Sequence, residues 1–144
     1  MPRRFLADAD PPPAYPLGLI GPDDMDPAHA PFVRRHLNRL TWRLANVEVL
    51  AMGLRRRLSW SVLGGIEEAA KSYAFRYWYG VRVFREFTKT CGRSSTKCDP
   101  AFYTEARAFV AFTDGGQDAT AHVAEAVATG KKVKVIRLPE EPER

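Results

Sequence analysis

Apolar residues recur along this chain in two rhythms: short continuous runs, and longer stretches in which they return at helical spacing. Leu17, Leu19 and Ile20 make the first run. Gly21-Pro22-Asp23-Asp24 closes it, so residues 17–21 read as a buried strand and its turn. Val33, Leu37, Leu40 and Leu44 then step by +4, +3 and +4, a single stripe on a helix. Asp26-Pro27 offers that helix an N-cap and N1 pair, Pro31 offers a second start, and Asn46 ends it. A second strand is predicted over 47–52, closed by Gly53, and a loop or short insert over 54–63. Gly64-Gly65 opens a second helix in which Ile66, Ala70, Tyr73 and Tyr77 repeat the same step, with Gly80 as its C′ residue. Val81, Val83 and Phe84 predict a third strand, followed by polar loop over 88–97. Asp99-Pro100 starts a short helix to about Ala106. A fourth strand over 108–112 leads through a glycine loop, 113–118, into a helix lined by Ala119, Val123, Ala126 and Val127. That helix stops at Gly130, and Val133, Val135, Ile136 and Leu138 predict a last strand.

Strand and helix therefore alternate about five times with short connections. That order demands right-handed crossovers between parallel strands. The expected fold class is α/β, a three-layer Rossmann-like open sheet of about five mostly parallel strands with helices on both faces. Residues 1–16, with Pro11, Pro12, Pro13 and Pro16, read as an extended or disordered tail, residues 17–138 as the domain, and residues 139–144 as a charged tail. Open sheets of this kind bind ligands beyond the carboxyl ends of their strands. The connections expected there are 21–24, 53–65, 88–98 and 113–118.

Charge sharpens this picture. The net charge is +5, but residues 34–97 carry fourteen basic and four acidic side chains while both flanking parts are net acidic. Such a middle segment favours an anionic partner, or it is a solvated helix face. Cys91 and Cys98 allow a disulfide but read first as two free thiols of a cytoplasmic protein. No secretion signal, membrane-length apolar run or metal-ligand spacing is present, so neither a membrane nor a metal or other cofactor is expected.

The sharpest candidate for chemistry is the loop after the fourth strand, with Asp114, Gly115, Gly116 and Thr120. Glycines admit an anion close to the main chain, and the amides of the following helix start point at it. Asp114 and Asp118 oppose a phosphate unless they face ribose hydroxyls or solvent. Gly64 and Gly65 have the same merits, with Glu67 as a ribose contact, a general base, or a first-turn acid favoured by the helix dipole. Gly21 and Gly53 close the other two strands at this edge. Arg93-Ser94-Ser95-Thr96-Lys97 can clamp phosphate or be a surface loop. His29, His36 and His122 share no ligand spacing and read as structural or surface residues, with His122 in the helix that follows the glycine loop. Tyr73, Tyr77, Trp78 and Tyr79 can stack a base, but their helical spacing places most of them in the core.

The order of these pieces resembles the SLOG superfamily, in particular its small YspA-like members of bacteria and phages. The resemblance lies in residues 64–84, from Gly64-Gly65 through an aromatic-rich helix end to Gly80-Val81-Arg82-Val83-Phe84, and in residues 106–138. It spans about residues 17–138. It implies a Rossmann-like sheet that binds nucleotides or nucleotide-derived signals; some members are nucleoside monophosphate phosphoribohydrolases and others bind single-stranded DNA. This chain has Ala119-Thr120 where relatives have Gly-Thr, Cys98-Asp99 where Arg-Asn is common, Gly65-Ile66-Glu67 for Gly-Ala-Asp, and Val123 where the hydrolases have a Glu. An N-glycosidic hydrolase needs a carboxylate. The expectation is therefore binding of a nucleotide or nucleotide-derived small molecule without turnover. The alternatives are an enzyme using Glu67, and nucleic-acid binding through Arg34, Arg35, Arg55, Arg56 and Arg57. A homodimer is left open.

Overall fold

A computed structural model of the chain describes residues 13–22, 25–52, 65–84, 100–115 and 117–140. Its strands are β1 (Tyr15–Ile20), β2 (Val47–Met52), β3 (Gly80–Phe84), β4 (Ala108–Thr113) and β5 (Lys132–Arg137). Its α-helices are α1 (Ala30–Thr41), α2 (Gly65–Tyr77), α3 (Pro100–Glu105) and α4 (Gln117–Ala128), and a 3-10 turn, Pro27–His29, leads into α1. The strands form one sheet in the order β3-β2-β1-β4-β5, and every neighbouring pair is parallel. The expected three-layer α/β architecture is the one observed.

The central strands read as continuous apolar runs because both of their faces are covered. Leu17, Leu19, Val49, Val110 and Phe112 pack toward Val33 and Leu37 of α1 and Ile66 and Tyr73 of α2. Ile20, Leu50, Phe109 and Ala111 turn the other way, onto Phe102 and Tyr103 of α3 and Ala126 of α4. Each such Leu, Val or Phe stabilises the fold by about 1.5–3 kcal/mol when fully buried. Hydrogen bonds tie the helices to each other within these layers. Thr41 Oγ1 donates to the Leu37 carbonyl at 2.8 Å and so accepts from the Tyr73 hydroxyl, joining α1 to α2. Tyr103 OH and His122 Nδ1 lie 2.6 Å apart and join α3 to α4, so His122 is buried between two helices.

Three local expectations change. β1 begins at Tyr15, inside the predicted tail. Pro16 has no donor, but its carbonyl accepts the Arg107 amide at 2.8 Å, and Tyr15 donates to the Asn46 carbonyl at 2.8 Å. The first helix stops at Thr41, leaving Leu40 43% exposed. Leu44 still packs against the core, from a turn closed by its amide on the Thr41 carbonyl. Gly80 is the first residue of β3 and not a C′ glycine. The Tyr79 amide donates to the Ala74 carbonyl at 2.9 Å and the Trp78 amide to the Phe75 carbonyl at 3.4 Å, a Schellman pair that puts Trp78 at C′ with φ 61°. A non-glycine side chain there costs about 1–2 kcal/mol.

Candidate functional site

The crevice of an open α/β sheet lies where two neighbouring strands send their crossovers to opposite faces. Here those strands are β1, which leads to α1, and β4, which leads to α4. At that edge is a cavity of about 420 Å³. Met25, Asp26 and His29 reach it from the β1–α1 connection, Asp114 from the end of β4, and Arg137 and Glu140 from the end of β5.

Local structure holds these groups in place. Asp26 caps the 3-10 turn by accepting the Ala28 amide at 2.9 Å, and the turn delivers His29 to the cavity wall. The imidazole is 7% exposed, and its Nδ1 is buried with no hydrogen-bond partner among the described residues. An unpaired buried polar atom costs about 1–3 kcal/mol. Across the cavity, the Leu138 amide donates to the Thr113 carbonyl at 2.9 Å and fixes the end of β5 against that of β4. Arg137 lies over Gly115, whose φ is +89°. A Cβ there would stand 3.3 Å from one terminal guanidinium nitrogen and 3.5 Å from the other, so the bare main chain is what lets the cation lie flat on the turn.

The glycine turns singled out in the sequence meet this edge in different ways. Gly115 and Asp114 belong to it directly. The Gly115 amide, however, donates to Thr113 Oγ1 at 3.0 Å. At the other turn the Ile66 amide donates to the Pro22 carbonyl at 3.3 Å. Unpaired amides from two turns are therefore not what these two positions offer; the polar capacity of the cavity lies in side chains. Gly21 has no room for a side chain because a Cβ would fall 2.9 Å from Ile66 Cβ. Gly65, with φ 63°, opens α2 beside it. Glu67 is 3% exposed and its carboxylate accepts from Lys71 Nζ at 3.0 Å, one helical turn away and apart from the cavity lining. Thr120 lies exposed in the first turn of α4. Arg34 and Arg35 sit on α1, the first half-buried and the second exposed. Gly53, Arg55, Arg56, Arg57, Gly64, Arg93, Lys97, Gly116 and both cysteines lie outside the described residues.

His29, Asp26, Arg137 and Glu140 are the lining groups that sequence reasoning did not select. A usable signal existed for Arg137. It lies near the carboxyl end of the fifth predicted strand, and consecutive strands of such a sheet usually lie side by side. His29 carried no such signal, since its burial follows from a 3-10 turn that a Pro-rich helix start does not specify.

Electrostatically the site is mixed. In its lining the cation of Arg137 stands with the carboxylates of Asp26, Asp114 and Glu140, all exposed. Arg137 can take two oxygens of a phosphate or carboxylate, while the carboxylates accept from hydroxyl or amine donors. Among the described residues no group of three or more His, Cys, Asp or Glu side chains is placed to hold a metal ion, and no helix is long and apolar enough to cross a membrane. No protein-family model, curated protein or solved structure matches this chain; the sheet itself supports a broad Rossmann-like assignment and nothing ties the chain specifically to the SLOG superfamily or its YspA-like members.

Proposed function

We propose that this domain binds a nucleotide or nucleotide-derived ligand in the cavity between the ends of β1, β4 and β5, and does so without turnover. The observation that carries the reading is the His29 imidazole, buried in the cavity wall at the switch point with an unpaired Nδ1. A structural histidine spends its buried nitrogens on the protein, as His122 does on Tyr103. His29 keeps one in reserve at the place where this fold accepts ligands.

The division of charge suits a nucleotide. Arg137 receives the phosphate, and Asp26 and Asp114 accept from sugar hydroxyls at the mouth. A volume of about 420 Å³ is toward the small end for ligand cavities, matching a mononucleotide better than a dinucleotide. The SLOG-like order of motifs points to the same ligand class, although the proposal does not depend on that kinship. The phosphoribohydrolase alternative would assign Glu67 the missing carboxylate. Its ion pair with Lys71, and a cavity lining that does not include it, favour binding alone. A cytoplasmic location, where nucleotides are abundant, belongs to this proposal.

The test is thermal unfolding of the full chain against nucleoside mono- and diphosphates, a nucleoside without phosphate, and inorganic phosphate. A ligand at ~100 times its Kd should stabilise by about 2.7 kcal/mol. The account expects this from one or more nucleotides and not from the bare nucleoside. No shift with any of them contradicts it.

A further inference from the structure

A second surface lies away from the cavity. Phe75 is 86% exposed and Trp78 91% exposed at the end of α2. Beside them a groove of about 520 Å³ runs between α2 and β3, walled by Ala74, Phe75, Tyr79 and Val81, with Glu68 and Lys71 along it. β3 is an edge strand, and its residues 80–82 are exposed. Edge strands are usually guarded by a free charge. The single cation of β3, Arg82, is instead held by Glu48 and Glu105, each at 2.9 Å, and those bonds keep its guanidinium firmly protonated. Trp78 adds strain to exposure, since φ 61° is a position glycine fills at no cost.

We propose that this flank, α2 with the β3 edge, is an interface between two copies of the chain related by a two-fold axis. The groove carries both signs of charge: in an isologous contact residue i meets j and j meets i, so a surface carrying both Glu68 and Lys71 can set acid against base across the axis. A partner of one charge sign, such as a nucleic acid, would leave half of these groups opposed. The area is also sufficient. Each aromatic side chain buries about 150–250 Å², so two copies of Phe75 and Trp78 supply roughly 600–1,000 Å². Val81, Tyr79 and the strand edge bring this toward the ~1,200–2,000 Å² of a stable interface. Exposed Trp and Phe anchors ringed by polar groups are the side chains that dominate such contacts.

Sedimentation of the full chain from ~1 to ~100 µM tests this, with wild type, Trp78→Gly, Phe75→Glu and, on the opposite edge, Val135→Glu. Trp78→Gly removes the anchor while relieving its backbone strain, so a folding defect does not mask the result. Wild type and Val135→Glu should form a dimer; Trp78→Gly and Phe75→Glu should weaken it by ~30-fold or more. Circular dichroism and the melting temperature of monomeric Trp78→Gly should match or exceed wild type. A wild type that stays monomeric throughout, or a dimer that persists in both α2 variants, overturns the proposal.

Discussion

Gly21 and Gly115 follow β1 and β4, the two strands of the switch point, and by sequence both are candidate ligand-binding positions. The structure fills the two spaces with opposite chemistry. At Gly21 the space of a side chain is taken by Ile66, an apolar group of the core under α1 and α2. At Gly115 it is taken by the guanidinium of Arg137, at the wall of the cavity. A glycine at a strand end thus reports a close approach without reporting what approaches. The difference divides this edge into a packed half, beside α2, and an open half, between β1, β4 and β5.

The largest effect is expected on the packed half. Gly21→Ala places a Cβ 2.9 Å from Ile66 Cβ, an atom near the main chain that cannot swing aside. Urea unfolding should show a loss of about 2–3 kcal/mol. The nucleotide affinity of the folded fraction should stay within about threefold. Equal damage to affinity and stability would mean that the two halves are not separate.

Arg137→Gln strikes the open half. It should lower nucleotide affinity by about 10–100-fold, the worth of a charge-assisted phosphate contact, while stability changes by less than ~0.5 kcal/mol. Titration calorimetry on the variant reads the first and urea unfolding the second.

The packed half also carries a pH signature. Burial pushes the Tyr73 phenol from 10.0 up to about 12, with Tyr77 and Tyr79 adding in the same direction. A phenol raised on folding holds its proton more tightly in the folded state. Its contribution is whole below pH 10 and is lost as pH climbs through about 12. Wild type should lose roughly 1–3 kcal/mol across that window beyond what Tyr73→Phe loses. Cavity ligands should leave the profile unchanged in shape.

The smallest of these effects is Gly115→Ala. The positive φ strains any side chain, and the new methyl meets Arg137 at 3.3 Å. A stability loss of about 1 kcal/mol is expected, with a several-fold loss of affinity as the guanidinium is displaced.

The fold was legible because its signals are local and redundant. Leu17–Leu19–Ile20, the Val33/Leu37 pair, Ile66/Ala70/Tyr73 and the β4 run each state their element twice, by period and by flanking turn residues. Trp78 was missed because a Schellman end is set by what Ala74 and Phe75 accept, and glycine at position 80 looked better suited. The lining of the candidate cavity was half legible. Asp114 and Gly115 follow from topology, since the loop after β4 must reach the crevice. Arg137 was within reach, near the end of the fifth run, but His29 was not, because its place in the cavity wall depends on a 3-10 turn, a property of the folded chain.

His29→Leu is the measurement closest to the centre of the account. If the unpaired Nδ1 is kept for a ligand, the unliganded variant should be as stable as wild type or more stable by ~1 kcal/mol, as when an unsatisfied buried polar group is replaced by an apolar one. It should also lose most of the thermal shift that a nucleotide gives wild type. A variant that is destabilised by more than ~2 kcal/mol and keeps the full shift would show that His29 serves the fold alone, and that the cavity beside it is not the binding site.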